Sequence, residues 1–311
     1  MADPKAWNPW HGCYKYSEGC DNCYMYYLDG IRGVPERARV IRRTADFDKP
    51  MKRDRQGRYK IPAGYVLRVN MTSDTFLEEA DEWRKEMWDM IRWRSDVRFY
   101  ILTKRVHRMA GHLPDDWGEG YENVQLNISV ENQRAFDERW PVFEKIPAKH
   151  KGMNMAPFLG PVDITPALAS GQIDDINLGG EGFGGHRPCH YEWVKAVSDA
   201  CAAYRVNFTF DAIGALFVKD GRQYLVDRQD IQKVQAFKSG LCQFFGEPEY
   251  KLFDPWDGHL LTKDELRTPM YHAEKCVTCP SFQTCVGCTD CGNCKNVRLV
   301  TYEEILKSRE I

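Results

Sequence analysis

Three cysteines near the start of the chain, Cys13, Cys20 and Cys23, are spaced C-x6-C-x2-C on one short segment rich in Trp, Tyr and Gly. A four-iron cluster held by three cysteines leaves one iron without a protein ligand, and that open position can chelate a cofactor or substrate. S-adenosylmethionine (SAM) can fill it with its amino and carboxylate groups, accept one electron and cleave to a 5'-deoxyadenosyl radical that abstracts hydrogen. On residue types alone the alternative is structural zinc, with His11 joining the three thiolates as fourth ligand.

Six further cysteines, Cys276, Cys279, Cys285, Cys288, Cys291 and Cys294, fall within nineteen residues. That is more than one zinc or one cluster needs. The run from Cys285 to Cys294 is similar to a ferredoxin-type C-x2-C-x2-C and suits a second, auxiliary [4Fe-4S] cluster. Pairing Cys276 and Cys279 with Cys291 and Cys294 would instead make a zinc ribbon. The remaining Cys189, Cys201 and Cys242 stand apart and read as buried small hydrophobes.

Chemistry on a short loop needs a scaffold that presents it. Downstream of the cysteine loop, apolar runs at 65–70, 97–102, 124–129, 152–155, 173–178 and 207–210 alternate with amphipathic segments. Trp83, Met87, Met90 and Ile91, and again Trp193, Val194, Val197, Cys201 and Tyr204, recur at helical spacing. This is the pattern of repeated β-α units around a parallel sheet. With a short strand in 6–10, the fold class is α/β, a partial or full (β/α) barrel, and its chemistry belongs at the C-terminal strand ends. Those ends carry Asn70, Ser73 and Asp74, then Thr103, Lys104 and Arg105, then Ser129, Glu131 and Asn132, then Gly179, Gly180 and Glu181. Beyond Leu216 the alternation fades. The expected organisation is a barrel over 1–215, an irregular connection over 216–270 and a cysteine-rich metal module over 271–311.

With 43% hydrophobic residues in 311, the chain can bury a substantial core and is neither disordered nor fibrous. No stretch approaches the roughly 18 apolar residues of a membrane span, and the N-terminus has no basic segment leading into an apolar one, so a cytoplasmic protein without a membrane partner is expected. The net charge of −2 makes no global case for nucleic acid, but Arg32 to Lys60 holds eleven Lys or Arg against four Asp or Glu. Arg39, Arg42, Arg43, Arg53 and Arg55 are the candidate phosphate contacts of this stretch, with Tyr59 available for stacking. A solvated surface loop is the alternative reading of the same charges.

The opening Trp7-Asn8-Pro9 with the cysteine loop, the strand end Ile101 to Arg105, Ser129-Val130-Glu131-Asn132, Leu159-Gly160-Pro161-Val162 and Gly179-Gly180-Glu181 occur in that order. This ordered set resembles the phage Gp37/Gp68-like proteins, which look like divergent radical SAM enzymes, over about residues 7–215. The resemblance implies a radical SAM barrel in which Tyr24 or a neighbouring aromatic replaces the usual aromatic beside the adenine, since Asn22 stands before the third cysteine. It implies that Ser73 and Asp74, with Asn70, serve the SAM amino group in place of the usual Gly-Gly-Glu after the second strand. Ser129, Glu131 and Glu181 become SAM or substrate contacts. The family tends to carry a Lys-Gln pair after the seventh strand; here Asp211 stands there, a candidate contact to a changed substrate. The phage association implies a modified nucleobase in DNA, with isomerisation of an amino-acid group on thymine as the expected reaction and a free nucleoside, amino acid or peptide as the other substrate class. Such a base would have to be unstacked to reach the pocket. A flavodoxin- or ferredoxin-type electron donor is implied as well. A non-catalytic zinc protein that binds nucleic acid is the alternative from another class.

Overall fold

The structure is a computed structural model. It describes residues 6–183, 187–262 and 265–266, together with the backbone of Tyr271–Ala273 and Leu299–Thr301. All six cysteines of the C-terminal cluster lie outside the described residues. The two short backbone segments pair as antiparallel strands and bracket that cluster in sequence.

Seven strands form one sheet: β1 (Ala6–Trp7), β2 (Val66–Val69), β3 (Arg98–Thr103), β4 (Val124–Ser129), β5 (His150–Met155), β6 (Asp175–Gly179) and β7 (Asn207–Ala212). Their spatial order is their chain order, and every pairing is parallel. A parallel sheet wound in one direction carries its crossovers on one face, so it curls; here it closes to a half-barrel. The helices between strands are α1 (Tyr24–Ile31), α2 (Asp81–Trp93), α3 (Val106–Met109), α4 (Gln133–Phe143), α5 (Thr165–Ala169) and α6 (Tyr191–Tyr204).

The two sheet faces differ in chemistry because side chains alternate along each strand. Leu67, Val69, Phe99, Ile101, Leu126 and Ile128 point outward into a core with Met87, Ile91, Phe136 and Val197 of the helices, all essentially buried. The alternate positions carry Arg68, Tyr100, Gln125, Asn127, Asn154, Asp175 and Asn177, and these share register across neighbouring strands. The concave face is therefore polar, unlike the packed apolar interior of a closed barrel.

Residues 216–261 contain more order than their weak periodicity implies. Leu216–Lys219 and Arg222–Leu225 form a hairpin, and α7 (Gln229–Lys238) packs against β7. The following segment closes the N-terminal end of the half-barrel. Gln243 pairs with Phe208, Tyr250 donates to Gln125 Oε1 at 3.0 Å and stacks on His150, and Arg98 lies over the Tyr250 ring and pairs with Glu247 at 2.9 Å. With that end plugged, the C-terminal rim is left for the site. No helix among the described residues is long and apolar enough to cross a membrane.

Candidate functional site

The cysteine loop leaves β1 and lies over the C-terminal rim. Gly12, at φ +94°, turns the chain where a Cβ would come within 2.5 Å of Val40 O, so only glycine fits there. The Gly12 N–H donates to Thr72 O at 3.2 Å, the Cys13 N–H to Ala38 O at 2.9 Å, and Ser73 Oγ to Gly12 O at 2.5 Å. Trp10 and His11 pair antiparallel with Arg43 and Arg42, which fastens the loop's entry to the basic stretch. At its exit Cys23 is the residue preceding α1, where free backbone N–H groups favour negative charge.

Three carboxylate and arginine pairs at three strand ends then hold the loop. After β2 and β3, Asp74 accepts from Thr103 Oγ1 at 2.7 Å, Phe76 N–H at 2.9 Å, Lys104 N–H at 3.2 Å and Arg105 Nη1 at 3.2 Å. Arg105 in turn reaches Tyr14 O at 2.8 Å and lies 3.8 Å from Cys13 Sγ. After β4, Glu131 pairs with Arg139 of α4 at 2.7 Å, both side chains only 1% exposed, and accepts from Ser17 Oγ. A Cβ at Gly19 would lie 3.0 Å from the Glu131 carboxylate carbon, so any larger residue there would push the Glu131 side chain aside. The adjacent Asn132 caps α4 through Ala135 N–H and gives its amide to Glu18. After β6, Glu181 takes a bidentate contact from Arg187 and a 3.0 Å hydrogen bond from Asn22 Nδ2, and Arg187 also donates to Glu18 O at 2.9 Å.

These contacts bring the three cysteines together. Burial pushes the Cys13 thiol up to about 12, with Asp74, Cys20 and Cys23 adding and Arg105 opposing. Burial likewise raises the Cys23 thiol, helped by Cys20 and opposed by the Met25 and Tyr26 N–H groups and by Lys104. Tyr26, which donates to Cys13 O, is pushed up to about 12 by burial and then by the same three sulfurs. For Glu131, burial raises the carboxyl, but Arg139, Lys104 and Ser17 outweigh it and hold it below the usual carboxylate range. The three thiols, each only partly exposed, act electrostatically on one another or on Tyr26, which puts them close together at the rim.

The donor geometry bears on which centre fits. Among the described residues, the three metal-ligand side chains with donor atoms all within 4.8 Å of one another are Asp254, Asp257 and His259, hydrogen-bonded together on an exposed turn. No three of His11, Cys13, Cys20 and Cys23 meet that spacing. Sulfurs on one tetrahedral zinc sit roughly 3.8 Å apart for a 2.3 Å bond. A cluster of several metal atoms spreads its ligands more widely than a single ion does. His11 Nε2 meets the buried Asp29 carboxylate at 2.7 Å.

The other candidate residues are placed as follows. Asn70 adopts φ +55° at the end of β2; one end of its buried amide meets Thr75 Oγ1 and the other has no hydrogen-bond partner among the described residues. Tyr24 donates to Met71 O and its ring is 6.3 Å from Phe183. Ser129 is buried at the end of β4, and its carbonyl accepts from Arg139. Asp211 is the extra residue of a bulge in β7, solvent-accessible yet crowded by protein, and burial raises its carboxyl.

The basic stretch does not form one surface. Arg39 is exposed beside the cysteine loop, close enough to act on Tyr26. Arg42 donates to Arg37 O, and Arg43 is engaged by Glu86 at 2.8 Å and lies over Phe47. Arg53 stacks on Tyr59 and Trp256 beside Arg94, at the opposite end of the sheet, and Arg55 is exposed nearby. The three arginines that pair with Asp74, Glu131 and Glu181 were not singled out from sequence as site residues; their only signal there was the nearness of Arg105 and Arg187 to strand-end motifs.

Residues 3–250 match the model of the family described as Protein of unknown function (DUF5131). The chain belongs to that family. The match takes in the cysteine loop, all seven strands and Tyr250, and stops before Cys276. No curated protein and no solved structure matches the chain.

Proposed function

We propose that this protein is a radical SAM enzyme whose reactive centre is held by Cys13, Cys20 and Cys23. The observation that carries this reading is a three-thiol loop, spaced C-x6-C-x2-C, tied to three strand ends at the open rim of a half-barrel. Cys13, Cys20 and Cys23 would hold a [4Fe-4S] cluster, which would supply the electron for cleavage of SAM to a hydrogen-abstracting radical.

The chain's own residues divide into two sets under this reading. Asp74, Glu131 and Glu181, with their arginines, position the loop, because their oxygens are already engaged by it or by its supports. Ser73 does the same through Gly12 O. Asn70, whose buried Oδ1 has no hydrogen-bond partner among the described residues, is the group at the end of β2 that would meet the amino-acid end of SAM. Tyr24 and Phe183 border the loop as the aromatic wall for its adenine. Asp211 faces the concave side as a substrate contact.

For the substrate we favour a modified nucleobase of DNA, with rearrangement of an amino-acid group on thymine as the reaction. Tyr14, Tyr16 and Tyr27 are exposed around the loop and can stack on an extruded base, while Arg39 and Arg42 lie where phosphates would pass. The C-terminal cysteines would hold an auxiliary cluster or a zinc, and a flavodoxin- or ferredoxin-type donor would deliver the electron.

The test is anaerobic reconstitution of the full chain with iron and sulfide, followed by electron paramagnetic resonance of the reduced protein with and without SAM. The expected result is a reduced-cluster signal that SAM alters, and about four fewer irons when Cys13, Cys20 and Cys23 are all replaced by Ala. Stoichiometric zinc with no iron at these thiols would replace the enzyme reading with that of a zinc-stapled nucleic-acid-binding protein.

A further inference from the structure

We infer that the concave face of the half-barrel carries a receptor for a zwitterion, an ammonium and a carboxylate on one small group as in an α-amino acid, built from Arg68, Tyr100 and Asp211. It rests on the radical SAM reading only for where that zwitterion comes from.

Strand register places the first two residues. Arg68 is paired with Tyr100 on neighbouring β2 and β3, so both side chains leave the sheet on the same face, opposite the buried Leu67, Val69, Phe99 and Ile101. Asp211 comes from the far side of the sheet. It is the unpaired residue between Phe210 and Ala212 in β7, where the register with β6 shifts, and a bulge of this kind can re-aim one side chain at a barrel rim.

Five strand spacings separate β2 from β7, about 24 Å along a flat sheet. The all-parallel sheet curls to a half-barrel, which shortens that span, and Arg68, Asp211 and Tyr100 lie within electrostatic reach of one another across the hollow. Both charged side chains are solvent-accessible, and neither makes an ion pair or hydrogen bond with the other described residues. The Tyr100 hydroxyl is buried without a hydrogen-bond partner among the described residues, with the Asn154 amide beside it.

A guanidinium, a carboxylate and an unsatisfied phenol that converge on a hollow without bonding one another are an incomplete network. A ligand carboxylate completes it at Arg68, where the planar fork suits two oxygens. A ligand ammonium completes it at Asp211, with the Tyr100 oxygen as a second acceptor. Two ligand chemistries meet that description: the methionine end of SAM itself, and a substrate carrying an amino-acid group.

The experiment is a ligand-observed NMR titration of the full reconstituted chain with three probes, glycine, methylamine and acetate. Glycine is expected to bind at least about 10-fold more tightly than either half-probe. Arg68→Met should weaken glycine and acetate about 10-fold and spare methylamine, and Asp211→Asn should weaken glycine and methylamine and spare acetate. Arg222→Met, on the exposed hairpin, serves as the control, and Arg68→Lys and Asp211→Glu should recover part of the loss, which a merely unfolded variant would not. Glycine binding no tighter than the half-probes, or untouched by both substitutions, overturns the receptor. A SAM titration of the same variants assigns the source: weakened SAM binding names its methionine group, unchanged SAM binding names the substrate. Glycine binding that persists in a protein binding no SAM would keep the receptor and reject the radical SAM reading.

Discussion

Replacing Arg105 by Met should loosen the cysteine loop at its first ligand. The guanidinium spans Asp74 Oδ2 at 3.2 Å, Tyr14 O at 2.8 Å and Cys13 Sγ at 3.8 Å, and the side chains of the ion pair are 11% and 8% exposed. Breaking a well-buried pair costs roughly 3–5 kcal/mol, and a lost hydrogen bond to a backbone carbonyl about 1 kcal/mol. Residual water access and relaxation of the Asp74 carboxylate towards Thr103 and Lys104 reduce this, so a loss of about 3 kcal/mol is expected. At roughly 2–4 °C per kcal/mol for a large domain, thermal unfolding of the metal-free protein should move down by about 6–12 °C. The charge has a second effect, because Arg105 opposes the upward push on the Cys13 thiol. Without it the thiol ionises less readily, and iron loading should require higher pH than in the parent protein. Arg105→Lys keeps the charge but not the fork, and should recover the pH dependence better than the thermal stability. A variant Arg105→Met that melts within about 1 °C of the parent and loads iron with the same pH dependence would refute the positioning role.

The Glu131 and Arg139 pair sits 1% exposed on both sides, so Arg139→Met should cost about 3–5 kcal/mol by stranding a buried carboxylate, and adding Glu131→Gln should return part of it; chemical denaturation of the four proteins checks this. Asp175 is raised by burial to about 7, despite the hydrogen bond from Gln125. Because its folded state holds a proton that the unfolded chain releases near pH 4, stability should fall as pH rises from about 4 to about 7 and stay lowered above that. Asp175→Asn should flatten this slope and raise the melting temperature at pH 8, while leaving it nearly unchanged at pH 3.5.

Much of the scaffold was legible because parallel strands covered on one face announce themselves as apolar runs separated by helical stripes. The six runs coincide with β2 to β7 to within two residues, and the 6–10 segment divides into β1 and the short Trp10 and His11 pairing. The cysteine spacing was legible for the same reason: local chemistry is local in sequence. The supports of that loop were not, since Glu131 meets Ser17, Glu181 meets Asn22 and Arg105 meets Tyr14 only after strand ends distant in the chain reach one rim. Charge runs misled in the opposite direction. Arg32 to Lys60 is continuous in sequence, but Arg39 ends up beside the cysteine loop and Arg53 under Trp256 at the other end of the sheet. The segment around Tyr250 has no periodicity because it follows the contours of the barrel floor; its partners are the first residues of β3, β4 and β5, which no local pattern encodes.

The measurement closest to the central claim is the formation of 5'-deoxyadenosine by the anaerobically reconstituted full chain supplied with dithionite and SAM, compared with the variant in which Cys13, Cys20 and Cys23 are all Ala. Product from the parent chain and none from the variant is the expected result. A parent chain that carries its full complement of iron and sulfide, binds SAM and still forms no 5'-deoxyadenosine would contradict the assignment of a radical SAM enzyme.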